Sequence, residues 1–217
     1  GVTGVQTCAL PSKIAIASWN GGTGKTFVAT NIFHTLMKNK IEAVLVDCDA
    51  EAPNSVAFFK TKRTSAFKVT QLVPVIDTNA CTFCGKCHEY CNYNAIFILP
   101  PMKIINVIED LCHGCGACSV ACKYDAITEK PVSLGMVNLY SNNGKPSLIE
   151  ARMNIGVMSP VPIIKAAIKQ INDQAEIAIL DSPPVFLHFL RSIFYIASRT
   201  AAACCETSNF KFLILIN

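Results

Sequence analysis

Two runs of cysteine set the strongest limit on what this chain can fold into. Cys81, Cys84, Cys87 and Cys91 follow the spacing C-x2-C-x2-C-x3-C, and Cys112, Cys115, Cys118 and Cys122 repeat it. The phrase after each run repeats too, Tyr93-Asn94-Ala95-Ile96 and then Tyr124-Asp125-Ala126-Ile127. The runs start 31 positions apart, at Cys81 and Cys112, so the segment is an internal duplication. Of 12 cysteines only Cys8, Cys48, Cys204 and Cys205 lie outside it. A secreted disulfide scaffold would spread its cysteines over a short chain behind a signal peptide. The first residues here lack a basic region followed by a long apolar core, so a reducing cytoplasm is the expected location. Soft thiolates select iron–sulfur clusters or zinc. A structural zinc site usually takes two close pairs separated by a longer loop. Three cysteines in seven residues instead suit three corners of a cube, with the fourth ligand arriving from elsewhere.

Over about fifty residues the duplicated segment resembles the bacterial two-cluster ferredoxins. That resemblance implies two [4Fe-4S] clusters, with the fourth cysteine of each run serving the other cluster. Cluster one would take Cys81, Cys84, Cys87 and Cys122, and cluster two Cys112, Cys115, Cys118 and Cys91. Those ferredoxins carry proline after the fourth cysteine, where this chain has Asn92 and Lys123. Proline shapes that turn without donating a ligand, so altered geometry or potential is expected, not a lost cluster. His88 and His113 are expected to be solvent-facing loop residues. Gly85, Gly114 and Gly116 are expected to let backbone approach the cluster and donate N–H groups to sulfur.

On either side the texture is α/β. Lys13 to Ser18 is a short apolar run, followed by a glycine turn at Gly21 to Gly24. Val28, Ile32 and Leu36 then recur at helical spacing, and Ala43 to Val46 reads as a buried strand ending in Asp47-Cys48-Asp49. Strand, glycine turn, helix and strand make a right-handed parallel unit. After the cysteines, Ser159-Pro160 predicts a helix start. That helix is expected to reach about Ile171, and Ile177 to Leu180 is expected as a strand ending at Asp181. The cysteine-rich zone therefore interrupts one α/β domain.

Asn20-Gly21-Gly22-Thr23-Gly24-Lys25-Thr26 follows a strand and opens a helix, the context a phosphate-binding loop requires. Glycines let successive N–H groups turn inward around phosphate, and the helix N-terminus adds a favourable dipole. Lys25 is the candidate for the β- and γ-phosphates and Thr26 for Mg²⁺. Here the chain resembles the MinD/ParA superfamily of P-loop ATPases, and specifically its members with an inserted ferredoxin domain. Val46 to Asn54 (VDCDAEAPN) is similar to that family's first switch segment, and Ile179 to Pro184 (ILDSPP) to its Walker B strand and second switch. The resemblance implies that Asp49 orients the attacking water and that Asp47 and Asp181 serve the magnesium shell. It also implies a P-loop parallel sheet, incomplete at the C-terminus, with an inserted α+β ferredoxin-like domain.

The expected organisation has a foreign leader at 1–11, P-loop segments at 12–66 and 131–184, and the ferredoxin insert at 67–130. A tail at 185–217 departs from the family pattern, as a frameshift or truncation would leave it, and lacks the family's later strands. The family's loop begins with Gly and a signature Lys that reaches the partner subunit's phosphates. Trp19 and Asn20 stand there instead, so hydrolysis is less secure than binding.

Composition narrows the remaining choices. With 51% hydrophobic residues a buried core is expected. The net charge of +4 comes from scattered Lys and Arg with no polybasic run, which argues against nucleic-acid binding. Apolar stretches near Val185 to Leu190 and Phe212 to Ile216 are too short to span a bilayer. The leading expectation is an ATP-dependent iron–sulfur protein coupling nucleotide state to cluster transfer or electron delivery. Its partners would be ATP, a redox or iron–sulfur acceptor protein, and a second copy or paralogue. The alternatives are an electron-transfer ferredoxin on a hydrolysis-defective P-loop scaffold and a localisation module like the superfamily's cytoskeletal members.

Overall fold

The computed structural model describes residues 11–18, 20–142, 145–184 and 210–215. The chain opens with strand β1 (Ser12–Ser18), helix α1 (Lys25–Lys38) and strand β2 (Ala43–Asp47). A long strand β3 (Lys62–Ile76) leads into the cysteines, where α2 (Lys86–Glu89) and α3 (Ala117–Ala121) are single turns. Between those turns lie β4 (Ile96–Leu99) and β5 (Ile104–Val107). The chain leaves through β6 (Ile127–Asn142) and β7 (Lys145–Met153), then forms α4 (Val161–Ile168), β8 (Ile177–Asp181) and β9 (Phe210–Leu215).

Seven strands form one sheet in the order β3-β6-β7-β2-β8-β1-β9. From β7 to β9 every neighbouring pair is parallel, while β6 runs antiparallel to β7. The expected β1-α1-β2 unit is present, with β8 inserted between its two strands. Strands covered on both faces read as unbroken apolar runs, and all five residues of β2 are buried. Ile16, Leu45, Leu148 and Ile179 from four strands pack with Ala29 and Phe33 of α1. Each fully buried large apolar side chain contributes roughly 2 kcal/mol. Phe33 also meets Phe59 edge to face, with ring centroids 5.2 Å apart.

The chain divides into two compact units. Among the described residues the first comprises 11–67, 135–153 and 160–215, and the second 68–134 and 154–159. In the second unit β4 and β5 pair antiparallel, and Ile96 and Ile105 pack with Cys87 and Cys118. The duplication is visible in the backbone. Phe83 and Gly114 have φ of 55° and 62°, Gly85 and Gly116 80° and 73°, and Asn94 and Asp125 52° and 50°.

Several expectations need correction. α4 ends at Ile168, not Ile171, and its N-cap position is Pro160, one residue after the expected Ser159. The expected absence of later strands does not hold either: β9 pairs in parallel with β1. Trp19 and most of the two expected terminal segments, 1–10 and 185–209, lie outside the described residues. Among the described residues no helix is long and apolar enough to cross a membrane.

Candidate functional site

The loop after β1 is shaped by two glycines in the left-handed region, Gly22 at φ 73° and Gly24 at φ 85°. No Cβ group would be at ease there, which is the physical reason for glycine. Gly24 is the N-cap of α1, and its carbonyl accepts from the amide of Val28 at 2.9 Å. Lys25 is buried, and its ammonium donates to Ser18 Oγ at 3.0 Å and to the Asn20 carbonyl at 2.9 Å. Gly21 and Gly22 are exposed while Thr23 and Thr26 are half-buried. Ser18 was not singled out from the sequence, because its role comes from the loop folding back over the end of β1.

Beside the loop lies a row of acids. Asp47 at the end of β2 is in register with Asp181 at the end of β8 and with Glu150 on β7. Adjacent strands are about 4.8 Å apart, and registered residues of parallel neighbours share a face. Both aspartates are buried. Asp47 Oδ1 accepts from the Asp49 amide at 3.1 Å, and Oδ2 accepts from the amides of Asn54 at 2.9 Å and Ser55 at 2.8 Å. Burial raises the Asp47 carboxyl, and these amides oppose the rise. Asp181 Oδ2 accepts from the Ser55 hydroxyl at 3.2 Å, while Oδ1 is buried without a partner among the described residues. Burial pushes the Asp181 carboxyl up to about 6, opposed by the Thr26 hydroxyl and assisted by Asp47. Asp49, the expected water-orienting residue, is half-buried next to this row.

Cys48 lies between Asp47 and Asp49 in the chain. Burial above all, and then Asp47, holds its thiol far above the usual value, so it stays protonated. Glu150 is also buried, accepting from Asn138 Nδ2 at 2.9 Å and Arg152 Nε at 2.9 Å. Ser55 and Glu150 escaped sequence reading because strand register, not a local motif, brings them to the aspartates.

The second unit holds two partly open cavities. Cys81, Cys84, Cys87 and Cys122 line the first, and Cys91, Cys112, Cys115 and Cys118 line the second. In each run the cysteines are in turn half-buried, exposed, buried and half-buried. Backbone amides point at sulfur: Phe83 to Cys81 at 3.4 Å, Gly114 to Cys112 at 3.4 Å and Ala95 to Cys91 at 3.3 Å. Gly85 and Gly116 open α2 and α3. Burial raises the thiols of Cys87, Cys112 and Cys118. Both histidines are exposed, yet each is engaged. His88 Nδ1 lies 2.6 Å from the Ile96 carbonyl, and His113 stacks on Tyr93 with ring centroids 3.8 Å apart.

The unpartnered Asp181 Oδ1, beside a second buried carboxylate and close to Thr26, fits a hard cation that takes oxygen ligands. Four thiols around each cavity, with amides aimed at sulfur, fit a thiolate-held cluster in the chemistry of the donor set. Among the described residues no three Cys, His, Asp or Glu side chains close around a single metal ion. One tetrahedral zinc would need its sulfurs about 3.8 Å apart.

The chain is similar to the uncharacterized protein MJ0578 of Methanocaldococcus jannaschii, with 34% identity over 84 residues. That stretch is 39% of this chain and 30% of the relative, so the chain spans less than a third of that protein. A match to the CobQ/CobB/MinD/ParA nucleotide binding domain covers residues 14–200, running past Pro184, where the resemblance traced in the sequence stops. Over most of its length, from β1 with its glycine loop to beyond the paired acids of β2 and β8, the chain therefore belongs to the CobQ/CobB/MinD/ParA nucleotide-binding domain family.

Proposed function

We propose that this chain binds ATP with Mg²⁺ at its glycine loop, holds two [4Fe-4S] clusters in its second unit, and couples nucleotide state to cluster transfer or electron delivery in the cytoplasm. Amides of Gly21, Gly22, Thr23 and Gly24 would surround the phosphates, and Lys25 would exchange its bonds to Ser18 and Asn20 for phosphate oxygens. Thr26 and Asp181 would face the magnesium shell. Asp47 would hold the switch segment through its three amide bonds, and Asp49 would orient water. Cys81, Cys84, Cys87 and Cys122 would hold one cluster, and Cys91, Cys112, Cys115 and Cys118 the other. Such clusters supply one-electron chemistry when bound. The acceptor would be a redox or iron–sulfur protein, and the working assembly a homodimer or a heterodimer with a paralogue.

The observation that carries the cluster half is the sorting of eight thiols into two cavities as interleaved quartets. Support for the nucleotide half comes from the family membership and from the unpartnered Asp181 oxygen beside Asp47. Anaerobic reconstitution tests both, read by iron and sulfide content, electron paramagnetic resonance, and ATP turnover with and without reductant. About eight iron atoms and turnover that follows cluster oxidation state are expected. Colourless, iron-free protein carrying stoichiometric zinc would refute the cluster half.

A second reading is a redox carrier whose loop binds nucleotide without hydrolysing it. Exposed, neutral Asn20 favours it, standing where the family's signature lysine is expected. About eight iron atoms with no turnover would support this reading.

A further inference from the structure

Ser55 is wholly buried and opens a short 3-10 turn at the far end of the switch segment. Its amide is bound to Asp47 Oδ2 at 2.8 Å and its hydroxyl to Asp181 Oδ2 at 3.2 Å. One residue therefore joins two carboxylates on adjacent strands. The two aspartates are not equivalent. Both oxygens of Asp47 already accept backbone amides of the switch segment. Asp181 accepts from Ser55 on Oδ2 and is also stabilised by the Thr26 hydroxyl of the glycine loop, while Oδ1 is buried without a hydrogen-bond partner among the described residues. A carboxylate pinned at one oxygen cannot rotate freely, so the pin decides where the remaining oxygen points. Without it, two buried like charges would be free to turn apart or to swap oxygens.

We infer that Ser55 is a positioning residue that fixes Asp181 Oδ1 toward the magnesium shell of the bound nucleotide and ties that oxygen's orientation to the switch segment through Asp47. The inference rests on the magnesium–nucleotide reading above. It assigns Asp47 the task of holding the loop and Asp181 that of meeting the metal. The role needs a hydroxyl because it donates to a carboxylate, which a methyl group cannot do.

The test is titration of ADP and ATP into the full chain by calorimetry, once with Mg²⁺ and once with EDTA. Wild type is expected to bind more tightly with Mg²⁺. Ser55→Ala should lose about tenfold of that magnesium-dependent gain, as expected for a lost hydrogen bond to a charged group. Its affinity in EDTA should stay at the wild-type value, because the glycine loop is untouched. Ser55→Thr should restore the gain, and near-isosteric Ser55→Cys, a weak donor, should fall between, so a poorly folding alanine variant leaves the test intact. A full magnesium gain in Ser55→Ala would overturn the inference, and so would equal losses with Mg²⁺ and EDTA, which mark a merely structural role. Wild type that binds neither nucleotide would instead sink the nucleotide reading and this inference with it.

Discussion

Asp47 and Asp181 stand side by side in register at the ends of adjacent parallel strands, and among the described residues neither is ion-paired. The nearby ammonium of Lys25 is bound to Ser18 and the Asn20 carbonyl instead. Two buried carboxylates left together raise each other's affinity for protons, and a cation arriving between them relieves both desolvation and repulsion.

A pH dependence follows for the ligand-free chain. Burial pushes the Asp181 carboxyl up to about 6 in the fold, against an ordinary aspartate value of 3.8. Between those values the folded form keeps a proton that the unfolded chain releases, so stability falls as pH rises from about 4 to about 6 and then levels. The fall attributable to Asp181 is on the order of 2–3 kcal/mol. Urea unfolding across that range should show a steeper fall in wild type than in Asp181→Asn, where the raised Asp47 carboxyl alone remains. Equal slopes in the two proteins would refute the assignment.

Replacing Lys25 should separate binding from folding. Lys25→Ala is expected to weaken nucleotide binding at least tenfold, since the residue's charge is what the loop adds to its amides. Loss of its bonds to Ser18 and Asn20 should leave the far-ultraviolet circular dichroism unchanged. Retained affinity in fluorescent-nucleotide titration would remove Lys25 from the site.

The interleaved quartets make a sharper claim than an iron count. Cys122→Ser should produce the same spectroscopic loss as Cys81→Ser, although Cys122 belongs to the other run. Cys91→Ser should likewise match Cys112→Ser. Each variant should retain about four of about eight iron atoms. If Cys122→Ser instead pairs with Cys112→Ser in its spectrum, the assignment of ligands is wrong.

Gly135 offers a prediction independent of any ligand. A Cβ built there would run into the Arg152 carbonyl and lie 2.8 Å from the Met153 Cα. The strands β6 and β7 must therefore separate locally to admit alanine. Gly135→Ala should cost about 1–3 kcal/mol in chemical denaturation. A neutral result would mean that β6 and β7 are less closely apposed at this point.

How much of this was legible in the sequence depended on how local each cause was. The glycine loop and the two cysteine runs are spelled out over a few neighbouring positions, so their place in the fold follows the residue order closely. The buried strand ending at Asp47 was readable for the same reason, being an apolar run cut off by acid. Ser18, Ser55 and Glu150 were not, because their importance comes from which strands pair. Nothing in a stretch such as Pro53-Asn54-Ser55 announces a partner 126 positions away at Asp181. The long strands β3 and β6 escaped for a different reason. β3 opens on Lys62, Arg63, Thr64 and Ser65, and β6 carries Thr128, Glu129 and Lys130 near its start, and that polarity hides the strand signal. The start of α4 shifted by one residue, since Pro160 and Pro162 both suit a first turn, and its end fell three residues short of Ile171.

The exchange of fourth cysteines between the two runs has a consequence for how such a segment could arise and be trimmed. Cut anywhere between Cys91 and Cys112, either half would keep three thiols around its own gap and carry a stray fourth meant for its twin. Neither copy is a spare, and the smallest piece of this part of the protein that keeps four thiols around a cavity is the pair.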